Sequence, residues 1–585
     1  MSDAQRGTTY LGISLGPVDP SVAAVRDGKV IAYAEEERFL RNKHAEGAYP
    51  IRSLKHCLAE AGVTISEVAA VGIGWDLAAY TDGTMAAFYA GLSEESGERP
   101  DRGTLDWQAR TLATYDRGAQ ETFHRRHWRR EFGDVEFPPL HASPHHFTHA
   151  FQAAMESPFE TAVTLTADGS GDRQTTMLWV KRGSELTPLR EIRIPHSLGW
   201  FYAAFTEYLG FTAYDGEYKV MGLAAHGSPD AELQKLVGQV LPVAGDGIEY
   251  RLDPRYVHHG EHSYSARFTD RLPELLGAAP RRPGDPVTAW HTDLAFAVQH
   301  ALEEAACRLV RWAVAETGIR NVCVGGGVAH NVRMNSRIFE LPEVEDVFAH
   351  PLCADSGGAA GAALVACHDA TGLLPGPLST LALGPAESLD EMAATLRNAK
   401  LPFEEPADPL RVVSDALADG LVVGWVEGRL EAGPRALGQR SILADPRAVE
   451  QRDKVNAVVK QRELWRPFAP AMPAAAAGRY FDRYADSRFM TMAFPANARL
   501  REEAPAVVHS DGTTRVQLVH PESAPLFHDL LVAFGERTGV PVLLNTSFNV
   551  KGEPIVNTTE DAIRTFFATG LDLLVLGGKI IVRKS

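Results

Sequence analysis

The chain has 585 residues, 45% of them hydrophobic and 23% charged, with 58 Lys and Arg against 75 Asp and Glu and a net charge of −17. That length exceeds what one core organises and implies two or three domains. The acidic balance argues against a nucleic-acid partner, which favours a basic stripe, and five cysteines without a CxxC pair argue against a disulfide framework or thiolate zinc site.

In chain order, MSDAQRGTTY lacks the basic start and apolar run of a signal peptide. No apolar stretch reaches bilayer-spanning length, so the reading is a cytoplasmic chain with no membrane partner. The block TTYLGISLGPVDPSVAAVRDGKVIAYAEEERF predicts three strands, the last two joined at an Asp27-Gly28 turn. A related strand, turn and strand return at TAVTLTADGSGDRQTTMLWVKRG. That repeat suits a two-lobed fold of the actin, Hsp70 and sugar-kinase kind, although chance similarity of two hairpins explains it equally well. Residues 95–140 read as a helical insertion without an assigned role.

The phrase Ser143-Pro144-His145-His146-Phe147-Thr148-His149 predicts a helix with Ser143 as its cap and Pro144 at its first position. His145 and His149, four apart, then share a face and can reach one metal; His146 is the alternative partner. Asp168 ends a following strand, and Asp355 lies in the Gly-rich turn CADSGG. Two histidines with two aspartates make a mixed nitrogen and oxygen set suited to iron, manganese or zinc.

Farther on, TDLAFAVQHALEEAACRLVRWAVAETG predicts a helix, and NVCVGGG a buried strand opening into a turn that lets a nucleotide approach the backbone. No GxxxxGK[ST] is present, which excludes a P-loop enzyme. A Gly-, Pro- and Leu-rich stretch at 371–388 marks the exit from a first domain at 1–390. A second domain occupies 395–585.

The tail gathers Arg435, Arg440, Lys460, Arg462, Arg466 and Arg515 around Gly-rich turns, with Asn545, Thr546, Ser547 and Asn549 near the end. Arginine grips phosphate with paired hydrogen bonds and lysine acts as a point charge. Surface pairing with Glu and Asp explains most single residues equally well. Arg435 and Arg440 flank a small-residue turn open to a ligand. Such a pocket would neutralise phosphate groups, including a nucleoside triphosphate carrying Mg²⁺.

The phrases AEEERFLRNKH, HHFTHAFQAAMESPF, TADGSGD, EYKVMGLAAHG, GGGVAHN, CADSGGAAGAAL, EAGPRALGQRSILADPR, RELWRPFAPAM and LLNTSFNVKGEPIV resemble, in order, the O-carbamoyltransferases of antibiotic and nodulation-factor biosynthesis. The resemblance implies an α/β chain: an actin-superfamily domain like the tRNA threonylcarbamoyl transferase, then a twisted-sheet domain like threonylcarbamoyl-adenylate synthase. It implies that the tail makes carbamoyl-adenylate from carbamoyl phosphate and ATP. The first domain then passes the carbamoyl group to a hydroxyl of a small acceptor. It places Fe²⁺ on His145, His149, Asp168 and Asp355. It places carbamoyl phosphate and ATP at Arg435, Arg440, Lys460, Arg466, Arg515 and Asn545–Ser547. The adenylate in the first domain falls at Lys43, Gly169, Gly171, Gly325, Gly326, Gly327 and Asn331.

One departure stands out. Many members carry His-Asp after the first strand, and this chain carries Val18-Asp19. Asp19, His226 and His330 are the residues left as candidates for the base. The rival readings are a tRNA-modifying carbamoyl transferase, a non-catalytic ligand-binding relative and a sugar kinase. The acceptor's identity and any homo-oligomer are not legible.

Overall fold

The computed structural model describes residues 7–16, 18–96, 102–258, 267–463 and 465–584. It divides into two compact units. The first holds residues up to Ser14, Val22–Ile31 and Cys57–Leu378; the second holds Leu15–Ser21, Ala32–His56 and Ser379–Ser585. The break therefore falls at Leu378 and not near 390–395. Two N-terminal segments join the tail, an arrangement no local pattern announces.

Unit 1 is built on two five-stranded sheets. The first uses β1 (Thr9–Ser14), β2 (Ser21–Arg26), β3 (Lys29–Glu35), β4 (Val71–Ile73) and β5 (Leu140–Ala142) in the order 3-2-1-4-5. The second uses β6 (Thr161–Gly171), β7 (Gln174–Arg182), β8 (Glu185–Arg193), β9 (Asn321–Gly325) and β10 (Asp346–Ala349) in the order 8-7-6-9-10. The orders match strand for strand. In each sheet the founding strand pairs in parallel with a later one, Leu11 beside Val71 and Val163 beside Val322. The weak sequence repeat is thus one end of a true duplication, and the fold is α/β of the actin and sugar-kinase kind.

The Asp27-Gly28 turn forms as expected. Both residues have positive φ, 52° and 74°, as the hairpin turn matching strand twist requires. Helix Gly358–Thr371, which opens on six Gly and Ala residues, lies so close to β1 and β4 that a Cβ on Gly12 or Gly72 would strike its carbonyls. The core here includes Tyr10, Val25, Phe151, Met155 and Leu364.

The tail of unit 2 carries a seven-stranded sheet. Its strands are β11 (Val423–Val426), β12 (Arg440–Ala444), β13 (Ala469–Pro473), β16 (Gln517–Val519), β17 (Leu543–Ser547), β18 (Leu573–Leu576) and β19 (Ile580–Arg583). The short strands β14 (Phe494–Pro495) and β15 (Thr513–Thr514) pair separately. The sheet order 16-13-17-12-11-18-19 mixes parallel and antiparallel pairs. Trp425, Phe527, Phe534 and Leu573 bury one face of it. A helix spans Leu389–Asn398, capped by a reciprocal Ser388 and Glu391 pair.

Candidate functional site

In unit 1 the helix that carries the histidines runs His145–Met155. It starts one residue later than expected, with Pro144 at the cap position and no side-chain cap bond. Ser143 bonds Thr148 instead. The cap comes from Asp172, whose Oδ2 accepts from the His145 amide at 2.8 Å. This fixes where the helix begins and therefore which ring faces which.

His145 and His149 turn their Nε2 atoms toward each other at 3.1 Å. Asp168 Oδ2 lies 3.7 and 3.5 Å from those nitrogens, and Asp355 Oδ1 lies 3.5 and 3.6 Å from them. Four ligands about 2.1 Å from a tetrahedral cation sit about 3.4 Å apart, so the spacing fits an ion at the centre. Asp355 Oδ1 is buried without a hydrogen bond, although its side chain is 43% exposed. His145 Nδ1 faces the Gly74 carbonyl at 3.1 Å, which leaves Nε2 as the ligand nitrogen. Asp168 accepts from the amides of Gly169 and Gly327 at 2.8 and 3.0 Å. Burial opposes charge on His145, but Asp168 and Asp355 outweigh it and lift its pKa to about 9. The cluster's field thus attracts positive charge. His146 points elsewhere, to Thr166 at 2.9 Å, and burial pushes it down to about 3; it is not the partner.

The glycines lie at this cluster. A Cβ on Gly171 would fall 2.0 Å from the His145 ring, and Gly326, at φ 81°, leaves no room beside the Ala167 carbonyl. Gly325 ends β9 and leads into that turn. His330 reaches Cys353 Sγ at 3.2 Å, two residues before Asp355. Asn331 is occupied structurally, holding Gln299 and capping Met334. His226 follows helix Glu217–Ala224 on an exposed turn.

Unit 2 assembles the opposite charge. Lys460, Arg462, Arg466, Arg435, Arg515 and Lys43 converge. Burial, then the charges of Arg462, Arg466 and Lys43, push Lys460 well below the usual lysine range. Burial, then Arg435, Arg462 and Arg466, do the same to Arg515, whose Nε is buried without a hydrogen bond. Lys460 is held by the Ser547 and Asn549 carbonyls, both at 2.8 Å. Cations crowded this way fit a polyanion.

Several expectations need correction. Arg440 is fully buried and donates to the carbonyls of Glu427, Gly428, Gln439 and Asn557. It is a strut under the loop, not an anion ligand. Asn545 likewise ties Ala436 and Gln517, and Thr546 and Ser547 follow it at the end of β17. Lys43 belongs to unit 2 rather than the first domain. So does Asp19, which has φ 54° and pairs with His44 Nδ1 at 3.0 Å.

The sequence reading missed Arg38 and Arg41. Arg38, buried between Glu35 and Glu37, donates to the Gly433 carbonyl at 2.9 Å. Arg41 donates to the carbonyls of Ile555 and Pro554 at 2.6 and 2.9 Å. Their signal was the run of three glutamates Glu35–Glu37 directly after an apolar strand, followed by Arg38 and Arg41.

Residues 9–364 match the family model for the carbamoyltransferase N-terminus, and residues 414–584 match the model for its C-terminus. The chain is 35% identical to the uncharacterized protein sll1178 of Synechocystis, over 98% of this chain and 97% of that one. It is 37% identical to nodulation protein NolNO of Sinorhizobium fredii, over 97% of this chain and 79% of the relative. A 3'-hydroxymethylcephem-O-carbamoyltransferase of Amycolatopsis lactamdurans is 36% identical over 43% of this chain and 47% of its own. With both family models spanning its two units, this chain belongs to the carbamoyltransferase family and is a transferase.

Proposed function

We propose that the protein is an ATP-dependent O-carbamoyltransferase that activates carbamoyl phosphate in unit 2 and transfers the carbamoyl group in unit 1. The observation that carries this is the convergence of Lys43, Arg435, Lys460, Arg462, Arg466 and Arg515, where burial first and then mutual repulsion lower the pKa of Lys460 and Arg515. A pocket that pays for such crowding holds phosphates.

In the first half, water releases phosphate from carbamoyl phosphate and leaves carbamate. A carbamate oxygen attacks the α-phosphorus of ATP, and pyrophosphate leaves. Arg515 and Arg466 hold the anionic groups and face the charge that builds on the transferring phosphoryl oxygens, while Lys460, bonded to Ser547 and Asn549, positions the turn beside them. Mg²⁺ accompanies the triphosphate. In the second half, the acceptor hydroxyl oxygen attacks the carbamoyl carbon, AMP leaves, and the hydroxyl proton passes to a base. His330, beside the Gly326–Gly327 turn, is the base we favour of the three considered. His145, His149, Asp168 and Asp355 would hold Fe²⁺, although the donor set suits manganese or zinc as well. The ion would supply Lewis acidity and orient the adenylate phosphate.

The test is pyrophosphate release from ATP by purified, iron-loaded protein with and without carbamoyl phosphate. Release that requires carbamoyl phosphate is expected. Release independent of it, or none, overturns the reading.

A further inference from the structure

The segment 95–140, which the sequence left without a role, carries charge of the wrong sign for this chain. Helix Arg117–Phe132 within it holds five arginines against two glutamates, in a protein of net charge −17. The helix is firmly seated. Gln120, His124 and Trp128, one every four residues, are buried, and Asp116 caps the first turn by accepting from the Ala119 amide at 2.9 Å. The helix before it, Arg102–Tyr115, ends with Tyr115 stacked on Trp75 at 4.1 Å, and the Trp75 ring lies 4.7 Å from His145. The two helices are therefore anchored in unit 1, and the outer one is a fixed surface.

Its outer face is basic. Helical spacing puts Phe123, Arg126, His127 and Arg130 on one flank, and Arg126, Arg129 and Arg130 are exposed. Arg117 and Arg129 meet Glu121 and Asp134 at 3.8 and 3.2 Å. Arg125, Arg126 and Arg130 make no ion pair among the described residues. The Phe123 ring is 37% exposed, with the Arg126 guanidinium 5.5 Å above it. Burial, then the charges of Arg126 and Arg130, lower the pKa of His127, so the positive field at this flank is not neutralised. Arginine and exposed aromatic rings are enriched at protein contacts, where lysine is depleted, and this helix contains no lysine.

A long polyanion such as RNA would overrun a helix of about 24 Å and meet the net negative charge of the remaining chain. A compact acidic protein would not, and this chain is itself one. Copies that each carry −17 repel one another in general, and attraction begins where the sign reverses. We infer that this helix is a contact between copies of the chain: the arginine flank of one copy seats on an acidic face of a second, with Phe123 inside the contact. The inference stands apart from the transfer reaction proposed above.

The experiment is sedimentation velocity of the full chain over a range of micromolar concentrations, in about 50 mM and about 500 mM NaCl. Self-association is expected at the lower salt and should be at least about tenfold weaker at the higher. The double variant Arg126→Glu and Arg130→Glu, checked as folded by circular dichroism, should weaken it about a hundredfold, and Arg126→Lys with Arg130→Lys should keep it within about tenfold. With benzoylphenylalanine placed at Phe123, illumination of mixed isotopically light and heavy protein should give light–heavy crosslinks. A monomer at every concentration, association that neither salt nor the glutamate pair weakens, or crosslinks confined to single copies overturns the inference. Association that needs an added short single-stranded RNA makes the face a nucleic-acid site and overturns it as well.

Discussion

The two charge clusters are mirror images in electrostatics. Unit 1 aims two carboxylates at a pair of histidines and lifts His145 to about 9. Unit 2 packs Lys460 and Arg515 among further cations and pushes both down. Each group of side chains favours charge of the opposite sign, so on the proposed reading a metal cation would complete one and phosphates the other. The contrast teaches that charge crowding, rather than any single motif, marks where ligands belong.

The largest effect expected is at Arg515. Arg515→Ala should cut carbamoyl-phosphate-dependent pyrophosphate release by about a thousandfold, near 4 kcal/mol of lost stabilisation. If the cluster is crowded as described, Arg515→Met should leave the ligand-free protein about 1 kcal/mol more stable in thermal melting. A destabilised Arg515→Met would break the picture of repelling cations.

Arg440 sharpens the comparison from the structural side. It lies in the same unit, yet it serves carbonyls. Arg440→Ala should cost about 3 kcal/mol in chemical denaturation, because buried carbonyls lose their donor. A loss of activity in a protein of unchanged stability would return Arg440 to the anion site.

His149→Ala tests the other cluster. Bound metal, read by mass spectrometry, should fall at least about tenfold, and transfer to an acceptor should fall about a hundredfold, well beyond any change in pyrophosphate release. Equal loss of both half-reactions would erase the division between the units.

The smallest effect concerns pH. Burial pushes Glu427, beneath the Arg440 loop, up to about 7. A raised carboxyl pKa means the folded state prefers the protonated form, so that contribution is complete below pH 4.5 and is lost as pH rises through 7. Melting across that window should show parent protein losing about 1–2 kcal/mol relative to Glu427→Gln. Parallel curves would mean that Glu427 titrates normally.

Much of this was legible in the chain. The i, i+4 pair His145 and His149, together with Asp168 and Asp355, could be named because helical spacing puts two rings on one face. The Arg and Lys cluster could be named because small residues leave room for a ligand beside charge. The duplicated sheet showed only as two similar hairpins, because later strands join each sheet across long connections. Arg440 was misread because its charge looks the same in sequence whether it meets phosphate or four carbonyls.

Composition, periodicity and motif order determined the α/β class, the candidate cluster of His145, His149, Asp168 and Asp355, and the family, since each depends on neighbours in sequence or on residue type alone. Tertiary structure decided the rest. It sent Ala32–His56, with Arg38, Arg41 and Lys43, into the tail's unit. It made Asp172 the cap of the histidine helix, and it stacked Tyr115 on Trp75 beside His145. Each of those outcomes joins residues far apart in the chain, and contact at that separation follows from packing and charge neutralisation rather than from any local preference of the backbone.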